Sequence, residues 1–346
     1  MATQRETPQV GTMTVKEPSL QDHLVTGPEL LRMQIPTREM IVRPFIPTSS
    51  LVMVYAPRGL GKTFFVMDLC RAVTTGQAFF EWEVPSARDV LFVDGEMPTE
   101  MLQERFSFLY GGNISERLFI LPSETMWAKG KPLNLNEAES QQRVQSLLDA
   151  MVSRGHKPAL IVLDNLSSLS FGIDENGNTD QDSILRWLMG LRHQGYAVLL
   201  VHHSGKNGEQ RGASRREDFL DTSILLSKPE SDAKGEGAAF RIEFTKERGR
   251  KSSPSSISVA LKVGEHGEPV WVRIKAFPEH FRALLAIRDQ CPDSLTELGR
   301  ILDVTRQAAT KHVAKLREKG LINPMELVLT KKGITTLAMF YPTVAA

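Results

Sequence analysis

A glycine-rich run ending in lysine and threonine spans residues 56–63. Its glycines allow backbone amides to turn toward an anion, and the N-terminus of a following helix adds a positive dipole. Lysine and threonine at these positions bind outer phosphates and Mg²⁺. The run therefore predicts a site for ATP and Mg²⁺; a plain glycine-rich turn is the alternative, because Ala56 replaces the usual first glycine. The predicted nucleotide-binding residues are Pro57, Arg58, Gly59, Leu60, Gly61, Lys62, Thr63 and Phe64.

Two apolar segments end in acidic residues that suit such a site. One ends in Asp164, which we expect beside Thr63, so that both residues bind the metal. The other leads into Asp94 and Glu96, at the edge where α/β sheets bind ligands. We expect Glu96 to be the base that activates water. The alternative is that Asp94 or Glu96 caps a helix that starts near Pro98.

Two later strand-like segments end in histidines and in cations. Adjacent residues such as His202 and His203 point to opposite faces of a strand, so the pair is poorly suited to one metal ion. We instead expect one of them, His203 or His202, to sense the γ-phosphate. Lys246 and Arg248 share a face if their strand continues, and such a pair can reach a neighbouring subunit's γ-phosphate. An ordinary solvated strand end is the alternative.

Short apolar runs alternate with helical segments through most of the chain. The strand-like runs span residues 50–56, 89–94, 117–121, 159–164 and 196–202. Helices are predicted at 62–75, 98–110, 136–153 and 179–194. This alternation indicates a doubly wound α/β sheet of mainly parallel strands. Alternating segments predict an antiparallel extension of the sheet at 223–226, 240–244 and 256–261.

Composition excludes several classes of protein. Of 346 residues, 41% are apolar and 24% are charged, which is typical of a chain that buries a sizeable core. No run reaches the ~18 apolar residues that a membrane span requires. The two cysteines and the polar N-terminus predict a reducing cytoplasm and no membrane partner. The chain has 42 basic and 41 acidic residues, so its net charge is close to zero. Nucleic-acid binding is therefore expected only from local basic patches.

Three regions are predicted along the chain. Residues 1–20 are polar and interrupted by proline, which predicts a flexible tail. Residues 21–276 hold the α/β pattern, and residues 279–346 form a separate helical region. In this last region a strand pair near Val328 follows three helices, predicted at 280–289, 295–302 and 306–319. This order resembles a small winged helix-turn-helix.

The third of these helices carries its polar residues on one face. Its apolar positions and those of the two preceding helices predict a three-helix core, with Thr305 as the helix cap. The N-terminal part of such a helix contacts base edges in the major groove. We therefore expect duplex DNA or a replication initiator as its partner; an oligomerisation or protein-docking surface is the alternative. The candidate DNA-binding residues are Arg306, Gln307, Thr310 and Lys311.

The region from about Leu24 to Ile274 resembles the RecA-like hexameric ATPases, most closely the RepA type of plasmid replicative DNA helicase. The motifs that carry the resemblance are residues 56–63, 94–97, Asp164, 202–206 and 246–248. The resemblance implies a RecA-like P-loop domain with active sites at subunit interfaces. It also implies that Glu96 is the catalytic glutamate, that Lys246 and Arg248 act in trans, and that the chain forms a homohexamer.

A ring of this kind binds single-stranded DNA through loops that line its channel. Two stretches are candidates, residues 167–178 and 206–216. The second has the glycines and cations of a loop that follows a phosphate backbone, with a solvated turn as the alternative. Phe171 is the only aromatic residue in the two stretches, so base stacking is not the expected mode. The candidate DNA-binding residues of the second stretch are Lys206, Arg211, Arg215 and Arg216.

These features together favour an ATP-dependent, ring-forming DNA helicase or translocase of a plasmid or phage replication system. The alternative is a RecA-like regulatory or repair ATPase that binds DNA without unwinding it, which the C-terminal region favours slightly. A non-enzymatic binding protein is a third hypothesis, and it requires that Glu96 is not catalytic.

Overall fold

A computed structural model describes residues 19–171, 178–204, 218–229, 237–248, 256–274 and 279–340. The chain divides into two units after Arg38. In the first unit, helix α1 (Gly27–Arg32) begins with a capping box. The side chains of Thr26 and Glu29 each accept a hydrogen bond from the backbone amide of the other, which satisfies two amides at the helix end. None of the residues of α1 is buried.

The second unit begins with an antiparallel pair, β1 (Met40–Val42) and β2 (Ile46–Pro47). The main sheet follows, with nine strands among the described residues. These are β3 (Leu51–Ala56), β4 (Val90–Asp94), β5 (Leu118–Pro122), β6 (Leu160–Asp164), β7 (Ala197–His203), β8 (Thr222–Ser227), β9 (Ala239–Glu247), β10 (Ile257–Val263) and β11 (Pro269–Ile274). Their spatial order is β5-β4-β6-β7-β3-β8-β9-β10-β11. The first six strands in this order are parallel, and β9, β10 and β11 extend the sheet in antiparallel fashion.

Helices cover both faces of this sheet. One face carries α2 (Lys62–Thr75) and α3 (Thr99–Tyr110), and the other carries α5 (Ala138–Ser153) and α6 (Asn178–His193). A short helix, α4 (Ser123–Ala128), follows β5. Alternate residues of the central strands join different cores, which explains why these strands are apolar along their whole length. The predicted doubly wound, mainly parallel α/β fold is confirmed.

The predicted parallel strands and their helices lie within two residues of their observed positions. One expectation about the extension of the sheet was wrong, because β8 pairs in parallel with β3 and is antiparallel only to β9. The 18 residues between β7 and β8 provide the long connection that parallel pairing requires. Strand β11 was not predicted; among the described strands it pairs with β10 alone, and its Val270 and Val272 are exposed.

The C-terminal helices bury a core of their own. They are α7 (Glu279–Gln290), α8 (Leu295–Leu302), α9 (Arg306–Glu318) and α10 (Lys331–Phe340). The cap predicted at Thr305 is present, since its hydroxyl accepts the Ala308 amide at 3.2 Å. A single bridge between Ile322 and Leu329 replaces the predicted strand pair, and α10 was not predicted. This module is a small winged helix. No helix in the described part of the chain has the length and apolar content to cross a membrane.

Candidate nucleotide-binding site

The loop between β3 and α2 curls at the carboxyl edge of the sheet. Gly59 and Gly61 have positive φ angles of 75° and 100°, which residues other than glycine rarely adopt. Gly61 has a second constraint, because a Cβ atom on it would lie 2.5 Å from the Cβ of Ala238. No described side chain caps α2, so its N-terminus is available to an anion. The loop therefore has the conformation that phosphate binding requires.

Lys62 is the first residue of α2, and its side chain folds back onto the loop. Its Nζ donates hydrogen bonds to the carbonyl oxygens of Ala56 at 3.1 Å and Pro57 at 3.0 Å. Burial lowers the pKa of Lys62, while Asp164 and Glu96 act in the opposite direction. A buried cation beside two carboxylates is well placed to bind phosphate oxygens.

The other predicted loop residues differ in their exposure. Arg58 is exposed, whereas Leu60 packs against the core. Phe64 lies beneath the guanidinium group of Arg105, which is 5.2 Å from the ring centre. Such stacking fixes the orientation of the guanidinium group. Arg105 therefore brings a supported cation to the lining of the site, whereas Arg58 is an exposed cation of the loop.

Thr63 and Asp164 meet at the base of the site. A hydrogen bond from the Thr63 side chain opposes the effect of burial, yet burial dominates and raises the pKa of Asp164 to about 6. The Oδ2 atom of Asp164 is buried and has no hydrogen-bond partner among the described residues. Such an oxygen is costly to bury, and a hard cation would satisfy it. These two residues therefore fit Mg²⁺.

The acids and imidazoles of the described residues do not build a metal site by themselves. No group of three or more His, Cys, Asp or Glu side chains among them is arranged to hold an ion. Mg²⁺ usually binds one or two protein ligands and keeps water and phosphate oxygens for its remaining positions. The donor set is therefore that of a metal bound together with a nucleotide.

Asp94 ends β4 directly beside Asp164, which ends β6. Its Oδ2 accepts a hydrogen bond from the Met97 amide at 3.0 Å, and burial raises the pKa of Asp94 to about 7. The first amide of α3, that of Thr99, instead donates to Glu124 at 2.6 Å. Asp94 therefore closes the turn that precedes α3, and neither Asp94 nor Glu96 caps the helix itself.

Glu96 lies at the mouth of the site and is held by a neighbouring side chain. Nδ2 of Asn165 donates a hydrogen bond to Oε2 of Glu96, and Nε2 of His203 lies 3.9 Å from the same oxygen. Burial and the charge of Lys62 lower the pKa of His203, which favours its neutral ring. His202 is buried elsewhere, with its Nδ1 3.4 Å from Ser167. Glu96, Asn165 and His203 form one cluster.

These groups line a single cleft of about 380 Å³. Sequence reasoning did not assign several of its residues to the site, among them the two polar residues Asn165 and Arg105. Asn165 directly follows the acid that ends β6, so its position at the same sheet edge was available from the sequence. Arg105 recurs with Pro98 and Met101 at i, i+3 and i+7, a spacing that places the three residues on one face of α3.

Lys246 and Arg248 lie at the opposite edge of the sheet. Glu247, between them, pairs with Thr222, which pairs in turn with Val52 near the start of β3. The strand does not continue as the shared-face expectation required, because β9 ends at Glu247 and Arg248 lies beyond it. The guanidinium group of Arg248 donates to the backbone carbonyl of Asp218. Neither cation lines the cleft of its own chain.

The candidate DNA-binding residues fall into two groups. Lys206, Arg211, Arg215 and Arg216 lie outside the described residues. The others, Arg306, Gln307, Thr310 and Lys311, are exposed on α9. The opposite face of α9 is buried through Ala309, Val313 and Leu316. The polar face of this helix is therefore free for a ligand.

Comparison with known proteins identifies two families along the chain. The model of the AAA domain family matches residues 16–209, more than half of the chain. The model of the MarR family matches residues 278–324, which include α8 and α9. No curated protein matches the chain. The chain therefore belongs to the AAA domain family, and its C-terminal winged helix is similar to the MarR family.

Proposed function

We propose that the chain hydrolyses ATP and couples hydrolysis to movement along single-stranded DNA, as a ring-forming helicase or translocase of a plasmid or phage replication system. The observation that carries the proposal is the cleft, which joins a phosphate loop, two buried acids and a glutamate held by Asn165. In this proposal the ATPase region spans residues 21–276 and the winged helix spans residues 279–346.

Lys62 and the loop amides would bind the phosphates, and Thr63 and Asp164 would bind Mg²⁺. When bound, Mg²⁺ neutralises charge on the phosphate oxygens. Lys62 would exchange its two backbone carbonyl partners for phosphate oxygens, which accept stronger, charge-assisted hydrogen bonds. Arg105 would add a second cation at the rim of the same cleft.

Glu96 is the proposed base that accepts a proton from the attacking water. Its contact with Asn165 fixes the carboxylate orientation, which is the part of catalysis that positioning supplies. His203 is the proposed γ-phosphate sensor, because it lines the cleft and lies 3.9 Å from Glu96. A neutral imidazole can donate one hydrogen bond and accept another, so His203 can connect the phosphate to Glu96.

Lys246 and Arg248 are proposed to complete the active site of a neighbouring subunit. Their position at the sheet edge opposite their own phosphate loop supports this role, since they are remote from the cleft of their own chain. A head-to-tail interface that repeats in this way forms a ring when the rotation between subunits closes, and we propose a homohexamer. An arginine supplied in trans commonly stabilises the charge of phosphoryl transfer.

The C-terminal module supports a second candidate, a regulatory ATPase that binds DNA without unwinding it. The observation that favours it is the exposed polar face of α9, on a segment similar to the MarR family. In either case Arg306, Gln307, Thr310 and Lys311 are the proposed contacts to duplex DNA. A replication initiator is the protein partner that the first candidate would recruit through this module.

The two candidates differ in unwinding. ATP hydrolysis should be measured with and without single-stranded DNA, together with the unwinding of a forked duplex. A motor requires hydrolysis that DNA stimulates and strand separation that depends on ATP. Stimulated hydrolysis without strand separation would leave the regulatory candidate, and a chain that hydrolyses no nucleotide would refute both.

Site sharing between subunits has a sharper test. Lys62→Ala and Arg248→Ala should each reduce hydrolysis by about 10²- to 10³-fold, and Arg248→Ala should still bind nucleotide. When the two inactive variants are mixed, the intact Lys62 of one subunit faces the intact Arg248 of another. About a quarter of the interfaces in a randomly mixed ring then regain activity. A mixture as inactive as its components would refute the trans role; Lys157→Ala, at an exposed lysine before β6, is the matched control.

A further inference from the structure

Two aromatic side chains are exposed side by side near the carboxyl edge of the main sheet. Trp127 is 56% exposed and Phe171 is 39% exposed. Their ring centres are 5.8 Å apart and their planes are inclined by 32°. The three other tryptophans, Trp82, Trp187 and Trp271, are buried or half-buried. An exposed pair of large rings is unfavourable in water and marks a candidate binding surface.

The two rings are held by different parts of the fold. Trp127 is on α4, which follows β5, and Phe171 lies in the segment that follows β6. The side chain of Asn136 donates to the backbone carbonyl of Phe171 at 3.1 Å. This contact fixes the backbone that carries Phe171. The pair therefore forms a supported platform rather than two independent surface residues, and the second ring comes from outside the two stretches considered in the sequence analysis.

Two lysines follow Trp127 within four positions of the sequence. Lys129 and Lys131 directly follow α4, and both are exposed and form no ion pair with a described residue. Gly130 between them has a φ of 68°, which turns the chain sharply. The guanidinium group of Arg143 donates to the carbonyl of Lys131 at 3.0 Å and so fixes this turn. Acids on either side are engaged, since Glu124 accepts the Thr99 amide and Glu137 accepts from Asn134.

We propose that Trp127, Phe171, Lys129 and Lys131 form a binding site for single-stranded nucleic acid. Aromatic faces stack on bases of any sequence, and lysines next to them neutralise phosphates. Base stacking does not discriminate strongly between bases, which suits a protein that moves along a strand. This inference rests on the proposed function, because it names the surface with which the ATPase binds the single strand along which it moves.

The same segment connects the platform to the hydrolytic cluster. Both the backbone amide and the hydroxyl of Ser168 donate to the side-chain oxygen of Asn165, at 3.0 Å and 3.2 Å. Asn165 in turn donates to Glu96. Only five residues, 166–170, therefore separate the group that orients Glu96 from the ring that would stack on a base. A nucleic-acid strand that displaces Phe171 would therefore shift Asn165, and with it the orientation of Glu96, through this segment.

Trp127 provides its own probe, because it is the one tryptophan of the four that is exposed. We would titrate the full-length chain with unlabelled oligonucleotides of deoxythymidine and of uridine, and follow tryptophan emission. Stacking on Trp127 should quench part of this emission. Trp127→Phe should abolish the quenching but bind the strand, as measured by the anisotropy of a labelled oligonucleotide. The two oligonucleotides distinguish DNA from RNA as the ligand.

Variants then test the contributions of the rings and lysines. Trp127→Ala should weaken oligonucleotide binding by about 5- to 100-fold, and Phe171→Ala should weaken it within the same range. Replacing both lysines by alanine should reduce the slope of log affinity against log salt by about 1.4, or about 0.7 for each phosphate contact. Val152→Ala, at an exposed residue at the end of α5, and Lys157→Ala should leave affinity and slope unchanged.

The outcomes separate this inference from the proposed function. Oligonucleotide binding that Trp127→Ala and the double lysine variant leave unchanged would refute the site, while DNA-stimulated hydrolysis could still stand. Quenching without any ATP hydrolysis would support the site and refute the motor. A chain that binds neither oligonucleotide would overturn the site and leave the rings to a protein partner.

Discussion

Buried acids at the two edges of the main sheet have opposite surroundings. At the amino edge, Asp221 meets the guanidinium group of Arg192 at 3.2 Å and the Leu51 amide at 3.0 Å. At the carboxyl edge, burial raises the pKa of Asp164 to about 6 and that of Asp94 to about 7. Oδ2 of Asp164 has no hydrogen-bond partner among the described residues. An aspartate is thus paired with a cation at one edge, while at the other each aspartate has one buried oxygen without a hydrogen-bond partner among the described residues.

The difference shows what each edge is for. Asp89, also at the amino edge, is 3.0 Å from Arg117 and 3.2 Å from the ring of His156, so it joins the starts of neighbouring strands. Such acids close the fold with partners that the chain itself supplies. The acids of the cleft lack equivalent partners, and that deficit is one a metal and a phosphate can fill. The fold is therefore less stable at the cleft than its own side chains could make it, at the place where a ligand is expected to bind.

One substitution made at both edges should separate the two roles. Asp164→Asn should lower the turnover of ATP by at least about 100-fold, because a neutral amide replaces the proposed metal-binding carboxylate. It should leave the melting temperature unchanged or raise it, since the cost of burying the Asp164 charge outweighs the effect of its partners Thr63 and Lys62. Turnover and thermal unfolding should be measured on the same preparation. Full activity in Asp164→Asn would refute its assignment to the metal.

Asp221→Asn should have the reverse effect. The change removes the charge that pairs with Arg192, and we expect the free energy of unfolding to fall by about 2 kcal/mol. Turnover per folded molecule should stay close to that of the unchanged chain, because Asp221 lies at the edge away from the cleft. Denaturant unfolding monitors the first quantity. A large loss of turnover without a loss of stability would break the comparison between the edges.

Much of the cleft was predictable because its signals are local. The phosphate loop is contiguous in sequence, and the positive φ of Gly61 explains why glycine stands there. Asp164 and Glu96 were predicted because each follows an apolar strand. The contact between Glu96 and Asn165 was not predicted, because it depends on β4 and β6 being neighbours. Strand order is a property of the whole sheet, so neither the sequence of β4 nor that of β6 predicts it.

The missed features also follow from physical causes. Helix α10 contains Gly333, Ile334 and two threonines, all poor helix formers, and it forms around the buried Leu337. Trp127 and Phe171 are 44 positions apart in the sequence, so no local sequence pattern predicts their contact. The division of the chain at residues 276–279 and the roles of the site residues stay predictions. What the sequence predicts least well is which distant side chains meet.

The last expected effect concerns pH. Asp94 has its pKa raised from 3.8 to about 7 by burial, so the folded chain binds this proton more tightly than the unfolded chain. The proton therefore stabilises the fold at low pH, and that contribution is lost as pH rises from 3.8 through about 7. Asp94→Asn resembles the protonated acid at every pH. Its stability relative to the unchanged chain should thus increase with pH, by at most about 4 kcal/mol at neutral pH.

Thermal unfolding across this range, without added Mg²⁺ or nucleotide, measures the effect of Asp94→Asn. Glu104→Gln, at an exposed acid on α3, is the matched control and should give a difference that does not grow with pH. If the difference for Asp94→Asn were also constant with pH, Asp94 would be as well satisfied as Asp221. The contrast between the two edges would then rest on Asp164 alone. A difference that grows with pH would instead make the shortage of partners a property of the whole carboxyl edge.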